Sequence, residues 1–226
     1  MKINYESRFA EDYSGRVVSL GESRIYTRDS IVENPMVGIS EHGSLLRLTL
    51  AQPGVSPALS ALVLQAAKDV PSLSMVMPVA NLRIWQSLAA DGKLDYCSAA
   101  VIDWDPFNGT AHAIQAGPVS VWLHSNGRWL PMFEKEFISD SADHPIMTKS
   151  DLSLYDYSLN LNERHQWLSS PVGRFEKSIT RNSSAFNIES IAMFTSDVQP
   201  LEQVFPNPSS WFSSAEHSST SGLLAM

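Results

Sequence analysis

The chain has 226 residues, 43% hydrophobic and 18% charged, with a formal net charge of −8, so it can bury a substantial core, while its surface repels phosphate backbones and argues against nucleic-acid binding. Cys97 is the only cysteine, which excludes an intramolecular disulfide and points to a reducing, cytoplasmic setting. Met1 to Ala10 lacks the apolar stretch of a signal peptide and no run approaches about 18 apolar residues, so neither export nor a membrane span is expected.

Arg16 to Leu20 reads as a short strand, and Gly21 to Ser30 as a polar loop. Pro35 to Ile39 is a second short apolar run, closed by Ser40-Glu41-His42-Gly43. Ser44 to Leu50 fits strand or helix, and Gln52-Pro53-Gly54 is a turn signal. Ser56-Pro57 then opens a helix, with serine as N-cap and proline at the first position. Leu59, Leu62, Val63 and Ala66 recur at helical spacing through Lys68, and Pro71 ends the run. Met77-Pro78 begins a second helix that runs to Asp91-Gly92.

The period changes in the middle of the chain. Tyr96 to Trp104 is a strand candidate, followed by the turn Asp105-Pro106-Phe107-Asn108-Gly109. Thr110 to Ala116 returns as a strand, Gly117-Pro118 interrupts, and Val119 to His124 alternates again. Ser125-Asn126-Gly127 is a second hairpin signal, and Arg128 to Met132 pairs back. Closely spaced strands with tight turns indicate an antiparallel meander. Residues 133–166 are irregular and polar, as an insertion or flap over a scaffold would be. Trp167 to Phe175 holds a possible short helix, Ile188 to Thr195 reads as a strand, and Gly222 to Met226 as a short terminal strand. This order predicts an α+β domain in which two packed antiparallel sheets are flanked by helices.

The run Ala116 to Leu130 resembles, in length and pattern, a segment of the bacterial metal-dependent protein phosphatases of the 2C type. There a Gly-Asp-Ser-Arg turn is followed by a strand and an Asn-Gly hairpin; here Pro118 stands where that turn has its aspartate. Four further pieces fall in the family's order. Gly21, Arg24 and Asp29 match a Gly, Arg and final Asp at the same spacing, with Thr27 and Arg28 in place of Asn and Glu. Met36 to Ser44 occupies the place of the strand ending Asp-Gly-x-Gly-Gly, with Ser40 or Glu41 at the aspartate and Gly43 kept. Ser196-Asp197 matches a Ser-Asp-Gly without its glycine, and Glu216 to Thr220 keeps only the final threonine of Asp-Asp/Asn-x-Thr.

The resemblance covers roughly the whole chain and implies one domain over 1–226, an α/β/β/α sandwich. It implies hard-ligand metal chemistry, with Mg²⁺ or Mn²⁺ held by aspartates at strand ends. A metal-bound water would attack phosphorus, and an arginine would hold the phosphate. By the same resemblance Arg24 is the phosphate-holding residue, Asp29 an acidic residue beside the site, and Asp197 a metal ligand. The pairs Glu41-His42 and Glu216-His217 stand in the two loops that lost aspartates, and with Asp197 they form a candidate set for Zn²⁺, Mn²⁺ or Fe. Arg28 puts a cation where the family places a carboxylate. The substitutions favour a degenerate phosphatase that binds a phosphoprotein, a Ser/Thr kinase or another regulatory partner. The alternative is an active Ser/Thr phosphatase with a rearranged metal set. Asp103 and Asp105 read as turn residues, because a calcium loop would need a glycine at Asn108 and a closing glutamate.

Overall fold

The computed structural model describes residues 16–20, 23–28, 36–54, 56–91, 95–117, 119–133, 172–173, 180–195 and 222–226. The predicted flap at 133–166, apart from Phe133, falls outside these residues, as do the segments around Asp29, Asp197 and 216–217. The strands are β1 (Arg16–Leu20), β2 (Ser23–Arg28), β3 (Val37–His42), β4 (Leu45–Pro53), β5 (Cys97–Asp105), β6 (Thr110–Ala116), β7 (Ser120–Ser125), β8 (Arg128–Pro131), β9 (Arg181–Ala185), β10 (Ser190–Phe194) and β11 (Gly222–Ala225). Helices α1 (Ala58–Asp69) and α2 (Leu73–Asp91) lie between β4 and β5.

Two antiparallel sheets result. The first runs β1-β2-β11-β10-β7-β8 and the second β3-β4-β5-β6-β9. Alternation along each strand assigns the faces. Leu46, Leu48, Leu50, Ala100, Ile102, Trp104, Ala111 and Ala113 of the second sheet pack against Ile25, Val121, Leu123, Ile191, Met193 and Leu223 of the first. The opposite face of the second sheet, with Ala51, Ala99, Val101, Ile114 and Ala116, is covered by Leu59, Val63, Ala66, Val76, Met77, Ala80 and Ile84 of the helices. The expected arrangement of packed antiparallel sheets with flanking helices is therefore present.

Several elements depart from the sequence reading. Residues 23–28 are a strand rather than a loop, because Ile25 enters the inter-sheet core and Thr27 is buried beside it. Strand β9 carries no apolar pattern, Arg-Asn-Ser-Ser-Ala, and forms by edge pairing with β6. Helix α2 starts at Leu73, not at Met77, and keeps Pro78 inside it. Proline removes one i→i−4 bond. Val76, Met77 and Ala80 around it are fully buried in the helix–sheet core, and that burial offsets the loss. Cys97 is a buried core residue whose thiol is pushed far up by burial, so it is inert as a nucleophile.

Val172 and Gly173 pin the returning chain to this core. Val172 exchanges both backbone hydrogen bonds with Cys97, at 2.9 and 2.8 Å. Gly173 donates its N–H to Asn81 Oδ1 of α2 at 2.8 Å and has φ +84°. A Cβ there would lie 2.2 Å from Ile84 Cγ2. Gly173→Ala therefore combines left-handed strain with a clash in a closed core, and is expected to cost about 2–4 kcal/mol. Thermal melting checks this: a fall of roughly 5–15 °C is expected, and an unchanged midpoint would refute the packing account.

Candidate functional site at one end of the sandwich

Strand register decides which residues share an end of the sandwich. In the first sheet, Phe194 pairs with Gly222 and Ser120, and Gly222 pairs with Arg28. The C-terminal ends of β2 and β10 and the N-terminal ends of β11 and β7 therefore lie together. In the second sheet, Pro53 pairs with Cys97 and Ala99 with Ala116. The short Gly117–Val119 turn, closed by a 3.1 Å Val119 N–H to Gly117 carbonyl bond, ties β6 to β7 at that same end. We call this end the mouth. The opposite end holds the tight turns, and Ile188 N–H bonds the Gly109 carbonyl across the sheets at 2.8 Å there.

Strands β2 and β10 end at the mouth on Arg28 and Phe194, and β11 begins there at Gly222. Asp29, Asp197, Glu216 and His217 themselves lie outside the described residues.

Glu41 and His42 are not brought there. They end β3 at the turn that pairs His42 with Leu45, at the far end of the second sheet from Pro53. They also face opposite ways. Val37 and Ile39 pack on the inter-sheet core, which gives Glu41 that parity, and Glu41 is exposed. His42 shares the parity of Gly38, whose hydrogen side meets Leu64 of α1. Burial, then the Arg47 cation, lowers the pKa of His42. The pair cannot converge on one ion with Asp197, because a one-residue step along a strand reverses the side chain.

Arg24 is also at the wrong end. Its backbone N–H and carbonyl pair with Met226 at 2.8 and 2.9 Å, at the start of β2. About 13 Å of strand separates it from Arg28 at the mouth. Its neighbours Ile25 and Tyr26 fix its facing. Ile25 lies in the inter-sheet core, and Tyr26 packs with Trp122 and Phe194 on the outer face. Arg24 takes the Tyr26 parity and is exposed.

Three residues at the mouth were not singled out by the sequence. Gln52 follows Leu46, Leu48 and Leu50 on the inter-sheet face of β4 and is half-buried at its end. The signal was present: Gln52-Pro53-Gly54 sits directly before the Ser56-Pro57 helix start. Asp95 is buried, and its carboxylate accepts Ser56 N–H at 2.6 Å and Tyr96 N–H at 2.8 Å. It holds the entry to α1, and Gly54 leaves it room, since a Cβ there would meet Asp95 Oδ1 at 2.6 Å. Arg181 opens β9 opposite Gln115. Its Nη2 donates to Gln115 Oε1 at 3.0 Å, and its guanidinium carbon lies 5.3 Å from the Phe133 ring centre.

This donor set does not fit a binuclear Mg²⁺ or Mn²⁺ site. Gln52 offers a neutral amide, and the Asp95 carboxylate is occupied by two backbone donors. Among the described residues no three His, Cys, Asp or Glu side chains are grouped to hold an ion.

No family model matches the sequence, and no curated protein sequence does. Solved structures do match. The serine/threonine phosphatase Stp1 from Staphylococcus aureus aligns over 92% of this chain and 94% of its own, with a TM-score of 0.58 and 8% identity. RsbX in complex with magnesium aligns over 93% and 98%, with a TM-score of 0.58 and 10% identity. PppA, a regulatory component of the type VI secretion system (T6SS) in Pseudomonas aeruginosa, aligns over 93% and 99%, with a TM-score of 0.57 and 12% identity. Sheet order, helix placement and these alignments agree: the chain has the fold of the bacterial protein phosphatases of the 2C type.

Proposed function

We propose that this chain is a phosphatase-derived binding protein that recognises a phosphoprotein or a regulatory partner at the mouth of the sandwich rather than turning it over. The observation that carries this reading is the chemistry of the β4 end. The inter-sheet face reaches the mouth as Gln52, an amide, in a fold whose phosphatase members place divalent ions at strand ends. A pair of dications without that carboxylate is under-neutralised. The neighbouring carboxylate, Asp95, is committed to positioning α1. The regulatory character of the structural relatives supports a partner-binding role: PppA is described as a regulatory component, and another match belongs to a bacterial stressosome.

Active phosphatase chemistry is the second reading. It is favoured by β2 and β10 running out at the mouth just before Asp29 and Asp197. Hydrolysis of an aryl phosphate and of a phosphoserine peptide, with Mg²⁺, Mn²⁺ and Zn²⁺ added separately, separates the two. The binding reading expects no metal-dependent turnover and a measurable affinity for the phosphopeptide over its unphosphorylated form. Turnover that vanishes in Asp197→Ala would overturn it in favour of the second.

A further inference from the structure

We propose that the far end of the sandwich, opposite the mouth, is a self-association surface on which a second copy of this chain packs against Phe107 and Phe186 about a two-fold axis. This surface is independent of the function proposed for the mouth and leaves that end open.

Phe107 and Phe186 are 77% and 66% exposed, the two most exposed large apolar side chains among the described residues. They stand on different connections, the β5–β6 turn and the link from β9 to β10. Those connections are locked together, because Ile188 donates its N–H to the Gly109 carbonyl at 2.8 Å. Gly109 and Asn187 take positive φ, 61° and 58°, on either side of that bond. Asp105 fixes the turn from within, accepting the Phe107 N–H at 3.0 Å and the Asn108 N–H at 3.1 Å. A ring carried on a braced turn has little backbone freedom left to lose on docking. Aromatic rings held in water by a rigid support are the anchors that protein interfaces favour.

The charges on the two flanks choose the occupant. Glu41, Leu46, Trp104, Ala111 and Ala185 stand in one register row across the second sheet. Four inter-strand steps, roughly 19 Å, separate Glu41 on the β3 edge from the β9 edge that leads into Phe186. The β5–β6 turn with Phe107 falls between them in strand order. On the β9 side the first sheet brings its own edge strand, β8: Phe133, just past β8, has its ring centre 5.3 Å from the Arg181 guanidinium of β9. Strand β8 begins at the far end with Arg128. The far end thus runs from a carboxylate, past two phenyl rings, to a guanidinium. Glu41 and Arg128 are both exposed, and among the described residues neither has an ion-pair partner. Glu189, an exposed carboxylate on the Arg128 side, lies 2.8 Å from His124 Nδ1. A two-fold axis through the aromatic centre sets each Glu41 against the Arg128 of the other copy and ring against ring. A partner of one charge sign would be attracted at one flank and repelled at the other. Four rings bury roughly 500 Å², well under the ~1,200 Å² of a stable interface, so the association is weak, with a Kd on the order of 10–100 µM.

Sedimentation velocity of the intact protein at physiological salt, from about 5 to about 300 µM, tests this. A monomer–dimer equilibrium that follows mass action is expected. Phe107→Ser with Phe186→Ser is expected to weaken it at least about tenfold. Arg128→Glu alone and Glu41→Arg alone are each expected to weaken it about fivefold or more, and the two together to restore it to within about twofold of native. Melting curves accompany each variant. Should the double serine variant fail to fold, the charge exchange carries the test by itself. A native chain that stays monomeric across the range, a dimer that survives loss of both rings, or a charge exchange that fails to restore association overturns the proposal.

Discussion

Replacing Arg47 by alanine is expected to destabilise the fold by about 3–5 kcal/mol, the range for breaking one partner out of a buried ion pair. Arg47 has no exposed surface. Its Nε and Nη2 reach both oxygens of Asp103, at 2.6 and 2.8 Å. Nη1 donates to the Ala67 carbonyl at 3.0 Å and to that of Val70, and Nη2 also reaches the Pro71 carbonyl at 2.9 Å. The guanidinium thus closes the carbonyl end of α1 and fastens the helix layer to β4 and β5, where Arg47 and Asp103 stand directly opposite. Alanine leaves a buried carboxylate without its counter-charge and three carbonyls without donors. For a chain of this size that loss lowers the melting midpoint by roughly 6–20 °C. The cost is mostly the stranded charge, so Arg47→Met with Asp103→Leu is expected to be milder than Arg47→Met alone. Equal destabilisation in the single and double variants would refute that account.

Asp103 shows how far local sequence reading reaches. It looked like a turn residue because it precedes Asp105, and only Asp105 is one. The Asp105 carboxylate accepts the Asn108 side-chain amide at 2.6 Å and the N–H groups of Asn108 and Phe107. Those bonds, that of the Asn108 side chain first, hold its carboxyl below the usual range. The partner of Asp103 is 56 residues away, a distance no local pattern encodes. The hairpins β5–β6 and β7–β8 were legible for the converse reason, but the single meander expected over them is not formed, because the chain crosses from one sheet to the other between β6 and β7. Their Asn-Gly turns and period-two alternation are local, and the backbone uses them as read, with Asn126 and Gly127 both at positive φ.

The candidate site was legible in order but not in position. A strand reversal of two residues, Gly43-Ser44, carries the chain from β3 to β4 and exchanges the ends of the sandwich. Matching the degraded motif to Ser40-Glu41-His42 therefore chose the strand that ends away from the mouth. The next strand, which ends on Gln52, comes to it. Arg24, near the start of β2, is likewise separated from the mouth, where the strand ends on Arg28. Arg181 had no sequence signal at all, since β9 has no apolar alternation. It became visible through Gln115 and Phe133, which reach it from other strands.

On the binding reading proposed above, the amide of Gln52 stands where a metal site would need a carboxylate, so supplying one is expected to produce a gain. Gln52→Asp puts a hard anionic oxygen on the inter-sheet face at the mouth, beside the strand ends that lead to Asp29 and Asp197. Affinity for Mn²⁺ is expected to rise at least tenfold over native, about 1.4 kcal/mol. Isothermal titration measures it directly, and Gln52→Asn controls for side-chain length without adding charge. Melting gives a second readout. A half-buried carboxylate without a partner destabilises the variant in chelator, and bound ion stabilises it by linkage. The midpoint of Gln52→Asp should therefore rise with added Mn²⁺ while the native midpoint stays flat. Coincident titrations of native and variant would remove β4 from the metal argument. Tight Mn²⁺ binding by the native chain would go further, because it would mean that Asp29, Asp197 and the 216–217 segment supply a sufficient donor set without β4, and the reading of this mouth as a binding surface would then yield to the hydrolytic one.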